Sequence, residues 1–287
     1  MTFLLSTNPT FLVGFCIFLG LLVGSFLNVV IYRLPEMMQR EWRAEAREIL
    51  ELPEEAAQPV FNLVTPRSRC PKCGHAIAWY ENVPVISWLV LGGKCKDCKT
   101  PISKRYPLIE ILSGVLAGIC AWHFGYGGWL VFTLFATWLL LAAAMIDADT
   151  TLLPDSMTLL LLWAGLLAAL LGVSPVSLQD AVIGAMAGYL SLWSVYWLFK
   201  LMTGKEGMGF GDFKLLAALG AFVGWQYLPL IILLSSVVGL VFAVGGMLFG
   251  GEKRVQIPFG PYLATAGWIA LLWGDTIVTS YLGMYKL

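Results

Sequence analysis

Eight apolar runs dominate the chain, at about 11–32, 107–124, 128–148, 156–172, 181–202, 213–228, 229–250 and 256–274. A helix needs about 20 apolar residues to cross a bilayer core, so most of these runs have the length of a membrane span. They are Leu-, Ala-, Val- and Trp-rich and show no strand-like alternation. Because a spanning segment must satisfy its own backbone hydrogen bonds, they predict helices and not a barrel. The sixth run is short before Gly224-Trp225-Gln226, which predicts a tilted or incomplete helix. With 59% hydrophobic residues, 13% charged residues and a mean hydropathy of +0.78, the composition excludes an ordinary soluble enzyme. The expected fold class is an all-α polytopic membrane protein of about eight transmembrane helices.

The net charge of zero conceals an asymmetry. Of the 18 Lys and Arg, 12 lie between Arg33 and Arg105, and others are Lys200, Lys205, Lys214, Lys253 and Arg254. If the segment after the first run is cytoplasmic, eight alternating spans place all of these inside and leave only Lys286 outside. Both termini then face outward, and Asp147 and Asp212 both reach the cytoplasmic side. The stretch before the first run has no basic n-region and the run is long, so it reads as a retained anchor and not a signal peptide. This divides the chain into a first transmembrane helix (1–32), a cytoplasmic domain (33–106) and a seven-helix membrane domain (107–287).

At the end of the first run, Gly24-Ser25-Phe26-Leu27-Asn28 leads to Arg33-Leu34-Pro35. As a helix end this has Asn28 hydrogen-bonded in the bundle, Arg33 snorkelling to the interface and Pro35 stopping the helix. The following Glu/Arg interleaving predicts a solvated surface helix.

The cytoplasmic segment carries Cys70-Pro71-Lys72-Cys73 and Cys95-Lys96-Asp97-Cys98. Two C-x-x-C knuckles at this separation look like a small zinc-ribbon-like domain, each pair supplying one edge of a tetrahedron of thiolates. Two disulfides or four separate thiols would use the same residues, but a reducing location argues against disulfides. Four thiolates leave no open position, so such a metal is structural and not catalytic. His75, beside a knuckle, could replace a cysteine, although the set is complete without it. Between the knuckles, Trp79 to Trp88 is aromatic and apolar for a soluble loop; it suits either the core of the ribbon or a rest against the membrane surface. Cys16 and Cys120 fall in apolar runs and read as buried small hydrophobes.

Two boundaries carry carboxylates. The third run ends in Ile146-Asp147-Ala148-Asp149, followed by Leu152-Leu153-Pro154-Asp155. Asp155 stands where a helix N-cap is expected. Asp149 would point about 200 degrees away from Asp147 on a continuing helix. Asp147 directly follows an unbroken apolar run and is the most desolvated, and an ionisable group at membrane depth is a functional candidate by default. Far downstream, Gly207-Met208-Gly209-Phe210-Gly211-Asp212 places a second carboxylate on a three-glycine turn, where polar sequence gives way to an apolar run. The glycines could let a peptide backbone approach closely or cradle a phosphate beside Lys205 and Lys214. Glu110 reads as a first-turn residue favoured by the helix dipole, with a polar contact near the site as the alternative. Gln179 and Asp180 lead into the fifth run, where Asp180 reads as another cap. The last inner loop, Glu252-Lys253-Arg254, runs into Ile257-Pro258-Phe259-Gly260-Pro261-Tyr262. That Pro/Gly break leaves unpaired backbone groups on the same side as both aspartates.

Taken in order, the Gly24-to-Asn28 opening, the paired knuckles, Asp147 with Leu152-Leu153-Pro154-Asp155, and Gly209-Phe210-Gly211-Asp212 closely resemble the bacterial prepilin peptidases, also called type IV leader peptidases, of the GxGD membrane aspartyl proteases. The resemblance covers nearly the whole chain. It implies cleavage of the leader of type IV prepilins or type II secretion pseudopilins at the cytoplasmic face of the bacterial inner membrane. It also implies N-methylation of the exposed residue with S-adenosylmethionine. The resemblance carries the catalytic role to Asp147 and Asp212, and a structural zinc site to Cys70, Cys73, Cys95 and Cys98. The sequence shows no glycine-rich loop for S-adenosylmethionine, and its binding residues stay unassigned. The expected partners are pilin-type substrates and the lipid bilayer, and no nucleic acid. The rival reading is a transporter or ion-coupled carrier with cation-binding aspartates, although the chain shows no internal repeat. A zinc-dependent hydrolase is a third reading.

Overall fold

The computed structural model describes residues 2–53, 59–248 and 258–283. Glu252, Lys253, Arg254, Ile257 and Lys286, which the sequence reading used, lie outside them. The described helices are α1 (Thr2–Thr7), α2 (Pro9–Ile49), α3 (Ile86–Val90), α4 (Arg105–Phe124), α5 (Gly128–Thr150), α6 (Asp155–Leu170), α7 (Leu178–Thr203), α8 (Phe210–Val223), α9 (Leu228–Leu248) and α10 (Gly260–Gly283). No strand occurs among the described residues, only isolated bridges Arg69–Ala76 and Lys94–Pro101 at the two knuckles. Within the described residues, each of the eight apolar runs folds as a helix. Five stretches are long and apolar enough to cross a membrane: Pro9–Ile49, Arg105–Phe124, Gly128–Thr150, Leu178–Thr203 and Trp225–Phe242. The count of eight spans is not reached on that measure: α6 has 16 residues and α8 only 14, and α10, though 24 residues long, is not among the five.

The chain packs as two compact units, 1–122 and 123–287. In the first, α2 and α4 run antiparallel with small residues at the crossing. A Cβ on Gly24 would lie 2.7 Å from the Glu110 Cα, and one on Gly20 would lie 2.8 Å from the Gly114 Cα, so the two backbones touch. The Ser113 hydroxyl donates to the Gly20 carbonyl at 2.6 Å and Asn28 Nδ2 donates to the Tyr106 carbonyl at 3.2 Å. Asn28 is thus hydrogen-bonded between helices, as membrane packing favours.

Two expectations at the end of this helix are corrected. Pro35 does not stop α2, which continues to Ile49. A proline inside a helix removes one backbone bond, and the Glu-, Arg- and Ala-rich sequence beyond it is strongly helix-forming, with an Arg40–Glu36 pair at 3.0 Å across one turn. Arg33 does not snorkel outward. It is buried, donating to the carbonyls of Asn62 at 2.8 Å and Pro66 at 2.7 Å, and so ties the irregular segment back onto α2.

In the second unit, α8 is the central element. Every residue from Leu215 to Val223 is buried, with α6, α7 and α10 around it. A helix apolar on all sides must be enclosed, and fourteen residues suffice because α8 lies inside the bundle. A Cβ on Gly184 of α7 would collide with the Gly220 carbonyl, and one on Gly188 would lie 2.6 Å from the Leu216 carbonyl oxygen. This backbone-to-backbone crossing of α7 and α8 fixes where α8 begins.

Candidate active site

Asp147 lies one turn before the end of α5 and is 5% exposed, whereas Asp149 on the same helix is exposed. The helical rotation that separates them is the one expected from their spacing. Asp212 is the third residue of α8, 7% exposed, with its backbone N–H directed at the Gly209 carbonyl at 3.3 Å. The two carboxylates are within electrostatic reach of each other. They belong to separate helices of one unit, so the fold brings together the two boundaries that the sequence holds 65 residues apart.

The surroundings of the pair are built by close approach. The Gly260 N–H donates to Asp147 Oδ2 at 2.9 Å from the first residue of α10, where backbone N–H groups have no helical partner. A Cβ on Gly260 would lie 2.6 Å from that oxygen. Leu153 fills the other side: a Cβ on Gly211 would lie 2.6 Å from the Leu153 Cβ, and one on Gly260 would lie 3.1 Å from its Cδ1. Of the three glycines before Asp212, Gly211 makes room for Leu153 and Gly207 for the Phe199 ring at 2.9 Å, while Gly209 is the N-cap of α8 with ordinary backbone angles. The Gly260 donor is the site residue that the sequence reading did not single out. Its signal was present in the Pro/Gly break, which leaves helix-start N–H groups without partners on the carboxylate side.

Asp155 is not the N-cap of α6. That position is Pro154, and the exposed Asp155 carboxylate instead takes the Lys214 ammonium at 2.6 Å, pinning α6 to α8 two residues beyond Asp212. Lys214 is thereby engaged with a carboxylate and unsuited to a phosphate. Asp180 stands in the first turn of α7 behind the N-cap Ser177, where it accepts from Trp225 Nε1 at 3.0 Å and Gln226 Nε2 at 3.3 Å. Glu110 lies beyond the first turn of α4, buried, and accepts the Val85 N–H at 2.8 Å.

In the first unit, the Sγ atoms of Cys70, Cys73, Cys95 and Cys98 all lie within 4.8 Å of one another, and none is in a disulfide. Cys70–Cys98 is 3.7 Å and Cys73–Cys95 is 3.9 Å. A tetrahedron with metal–sulfur bonds of about 2.3 Å has edges of about 3.8 Å, so the cluster has the dimensions to hold a metal ion. The Thr100 hydroxyl and backbone pull the Cys98 thiol down to about 6, and backbone hydrogen bonds from Cys73 and Lys72 lower Cys70. His75 is no cysteine substitute. Its Nε2 meets Glu81 at 3.0 Å and its Nδ1 meets Asp97 at 2.7 Å, and Lys96 reaches Glu81 at 2.9 Å. These ion pairs connect the two knuckles. Hydrogen bonds from His75 and Lys96 hold Glu81 down at about 2, and the Glu81 bond raises His75.

Two family models match the chain, one described as the bacterial peptidase A24 N-terminal domain over residues 18–124, the other as the type IV leader peptidase family over 134–244. Among curated proteins, a prepilin leader peptidase/N-methyltransferase of Stutzerimonas stutzeri is 60% identical over 99% of this chain and 98% of its own length. Relatives of the same name from Pseudomonas aeruginosa and Neisseria gonorrhoeae are 59% and 50% identical, over 97% and 95% of the chain and 96% and 94% of their own lengths. The chain belongs to the type IV leader peptidase family. No solved structure matches it. The N-terminal family match contains the cysteine cluster, and the leader peptidase match contains both Asp147 and Asp212.

Proposed function

We propose that the chain cleaves the leader peptides of type IV prepilins and type II secretion pseudopilins at the cytoplasmic face of the bacterial inner membrane, with Asp147 and Asp212 as its catalytic pair, and then N-methylates the new N-terminal residue with S-adenosylmethionine. The observation that carries this reading is the burial of two carboxylates from separate helices within electrostatic reach of each other, in a family member whose relatives are named prepilin leader peptidase/N-methyltransferase. Two buried carboxylates that interact electrostatically can share a proton and titrate as one unit. One takes a proton from the attacking water while its partner donates to the scissile carbonyl, and the proton is later delivered to the leaving amine. The Gly260 N–H orients Asp147 for this exchange, and Leu153 packs between Gly211 and Gly260 beside the pair.

In this reading the first transmembrane helix (1–32) and a cytoplasmic domain (33–106) precede a seven-helix peptidase domain (107–287), with the lipid bilayer around eight spans. Zinc occupies the cluster of Cys70, Cys73, Cys95 and Cys98. The thiolate edges fit it, and a closed four-sulfur site makes the ion structural. The carrier alternative loses to the peptidase one on the names of the relatives, and a peptidase needs no membrane gradient.

Purified protein incubated in detergent with a prepilin and labelled S-adenosylmethionine tests both activities separately. Leader release and label on the new N-terminus are expected. Absence of cleavage under conditions where the protein remains folded would remove the peptidase assignment, and cleavage without label would remove the methylation.

A further inference from the structure

The knuckle domain carries an apolar surface that no part of the described chain covers. Trp79 is 83% exposed, Ile86 61%, Leu89 63% and Val90 80%. Between Trp79 and Val90 the only charged side chain is Glu81, itself buried and paired with His75 and Lys96. A contiguous exposed patch of this kind marks a contact with something else.

The depth of the patch identifies that contact. The Val85 N–H is bound to Glu110, and Glu110 packs on Gly24 of α2. Gly24 precedes Arg33, the first charge after the apolar run, by nine residues, about 13 Å of helix. A glutamate side chain extended fully toward the start of α4 covers less than that distance, so Val85 lies on the apolar side of Arg33. The first residues of α3 are therefore level with the flank of α2 and α4, where Leu108 is 63% exposed and Ile111 44%.

The backbone of this segment is fitted for a dry setting. Besides the bond from Val85 to Glu110, the Val83 N–H meets the Ser87 hydroxyl at 2.9 Å, and that hydroxyl meets the Tyr80 carbonyl at 2.8 Å. The N–H groups of Ser87, Leu89, Leu91, Gly92 and Gly93 all bond carbonyls within the same turn. Backbone at membrane depth is tolerated when its polar groups are satisfied internally. In sequence the patch is followed by Lys94, Lys96, Lys99 and Lys104, of which Lys96 is paired with Glu81; charge of this sign complements anionic headgroups. Lys96 also lies 5.4 Å from the Tyr80 ring centre.

We infer that Ile86, Leu89 and Val90 enter the acyl boundary of the same bilayer that α2 and α4 cross, with Trp79 at headgroup level, so that the knuckle domain is docked on lipid. The bilayer thus takes the place of a hydrophobic core for this domain. The inference is independent of the peptidase reading and requires only that α2 spans.

The test uses full-length protein in nanodiscs of phosphatidylethanolamine and phosphatidylglycerol, some lipids carrying a nitroxide high on the acyl chain. A small fluorescent amino acid is placed at Leu89 or, in a second protein, at the still more exposed Val90. Phe18, exposed on the apolar run of α2, serves as the lipid control and Lys72 as the aqueous one. Quenching at Leu89 and Val90 should exceed that at Lys72 two- to threefold and approach that at Phe18. Values equal to Lys72 with Phe18 quenched overturn the docking. If Phe18 is unquenched as well, the spanning reading of α2 falls and the docking with it. Protection of Leu89 from a soluble quencher only after a prepilin is added would assign the patch to the substrate, and also overturn the inference.

Discussion

The aspartate pair and the cysteine cluster are positioned by opposite means. Asp212 rides on a helix whose residues from Leu215 to Val223 are all buried, and its start is fixed by helix packing, the Gly211–Leu153 contact and the Lys214–Asp155 pair. The cysteines sit in a segment with no strand and few buried hydrophobes, held by knuckle turns, ion pairs and four thiols aimed at one point. The first site is imposed by its surroundings and should survive loss of its own chemistry. The second is an organiser of its surroundings, and a domain of this kind depends on its ligand to fold.

The sharpest way to break this contrast is at the carboxylates. Asp147→Asn and Asp212→Asn should each lower prepilin cleavage by at least about 100-fold, the lower end of what general acid–base groups contribute, while the protein still inserts and unfolds as the parent does. Full cleavage by either variant would end the assignment. At the other pole, Cys73→Ser with Cys98→Ser should abolish metal binding, read by metal content of the purified protein, and expose the 66–103 segment to protease. Leader cleavage should persist at a reduced level. If it vanished while the helices remained intact, the metal would be catalytic and the contrast would collapse.

Between these extremes lies Gly260→Ala. The added Cβ would lie 2.6 Å from Asp147 Oδ2, so the carboxylate must shift while the pair remains. Displacement by an ångström can cost about 100-fold, and a fall of 10- to 100-fold in kcat with little change in KM is expected. An equal rise in KM would make Gly260 a substrate contact instead of a support for Asp147.

Much of the site was legible because it follows from chemistry local to the chain. Asp147 stood out over Asp149 because it directly follows the apolar run and helical rotation turns Asp149 away, and four cysteines in two knuckles specify their own meeting. The misreadings occurred where neighbouring sequence or a tertiary partner overrode a local rule. Pro35 looked like a stop, but the helix-forming sequence after it carries α2 to Ile49. Asp155 looked like a cap until Lys214, 59 positions away, took its carboxylate. Arg33 looked bound for the interface, but two backbone carbonyls draw it inward. Gly260 escaped notice because a backbone N–H has no signature in a sequence beyond the break that frees it.

The smallest expected effect sharpens the account of the cysteine side. His75 bridges Glu81 and Asp97, and the Glu81 hydrogen bond raises its pKa above the ordinary 6.5. A group whose folded pKa is raised stabilises the fold fully below its ordinary value, and loses that contribution as the pH climbs through the folded value. His75→Gln should therefore lower the temperature at which the knuckle domain releases its metal, followed with a chelating dye in the full-length protein. The gap from the parent should be widest near pH 6 and narrow steadily toward pH 9. Lys96 keeps its hold on Glu81 in the variant, so the loss stays partial. A gap independent of pH would mean that His75 contributes shape and not charge, and that the knuckles are joined by the metal and Lys96 alone.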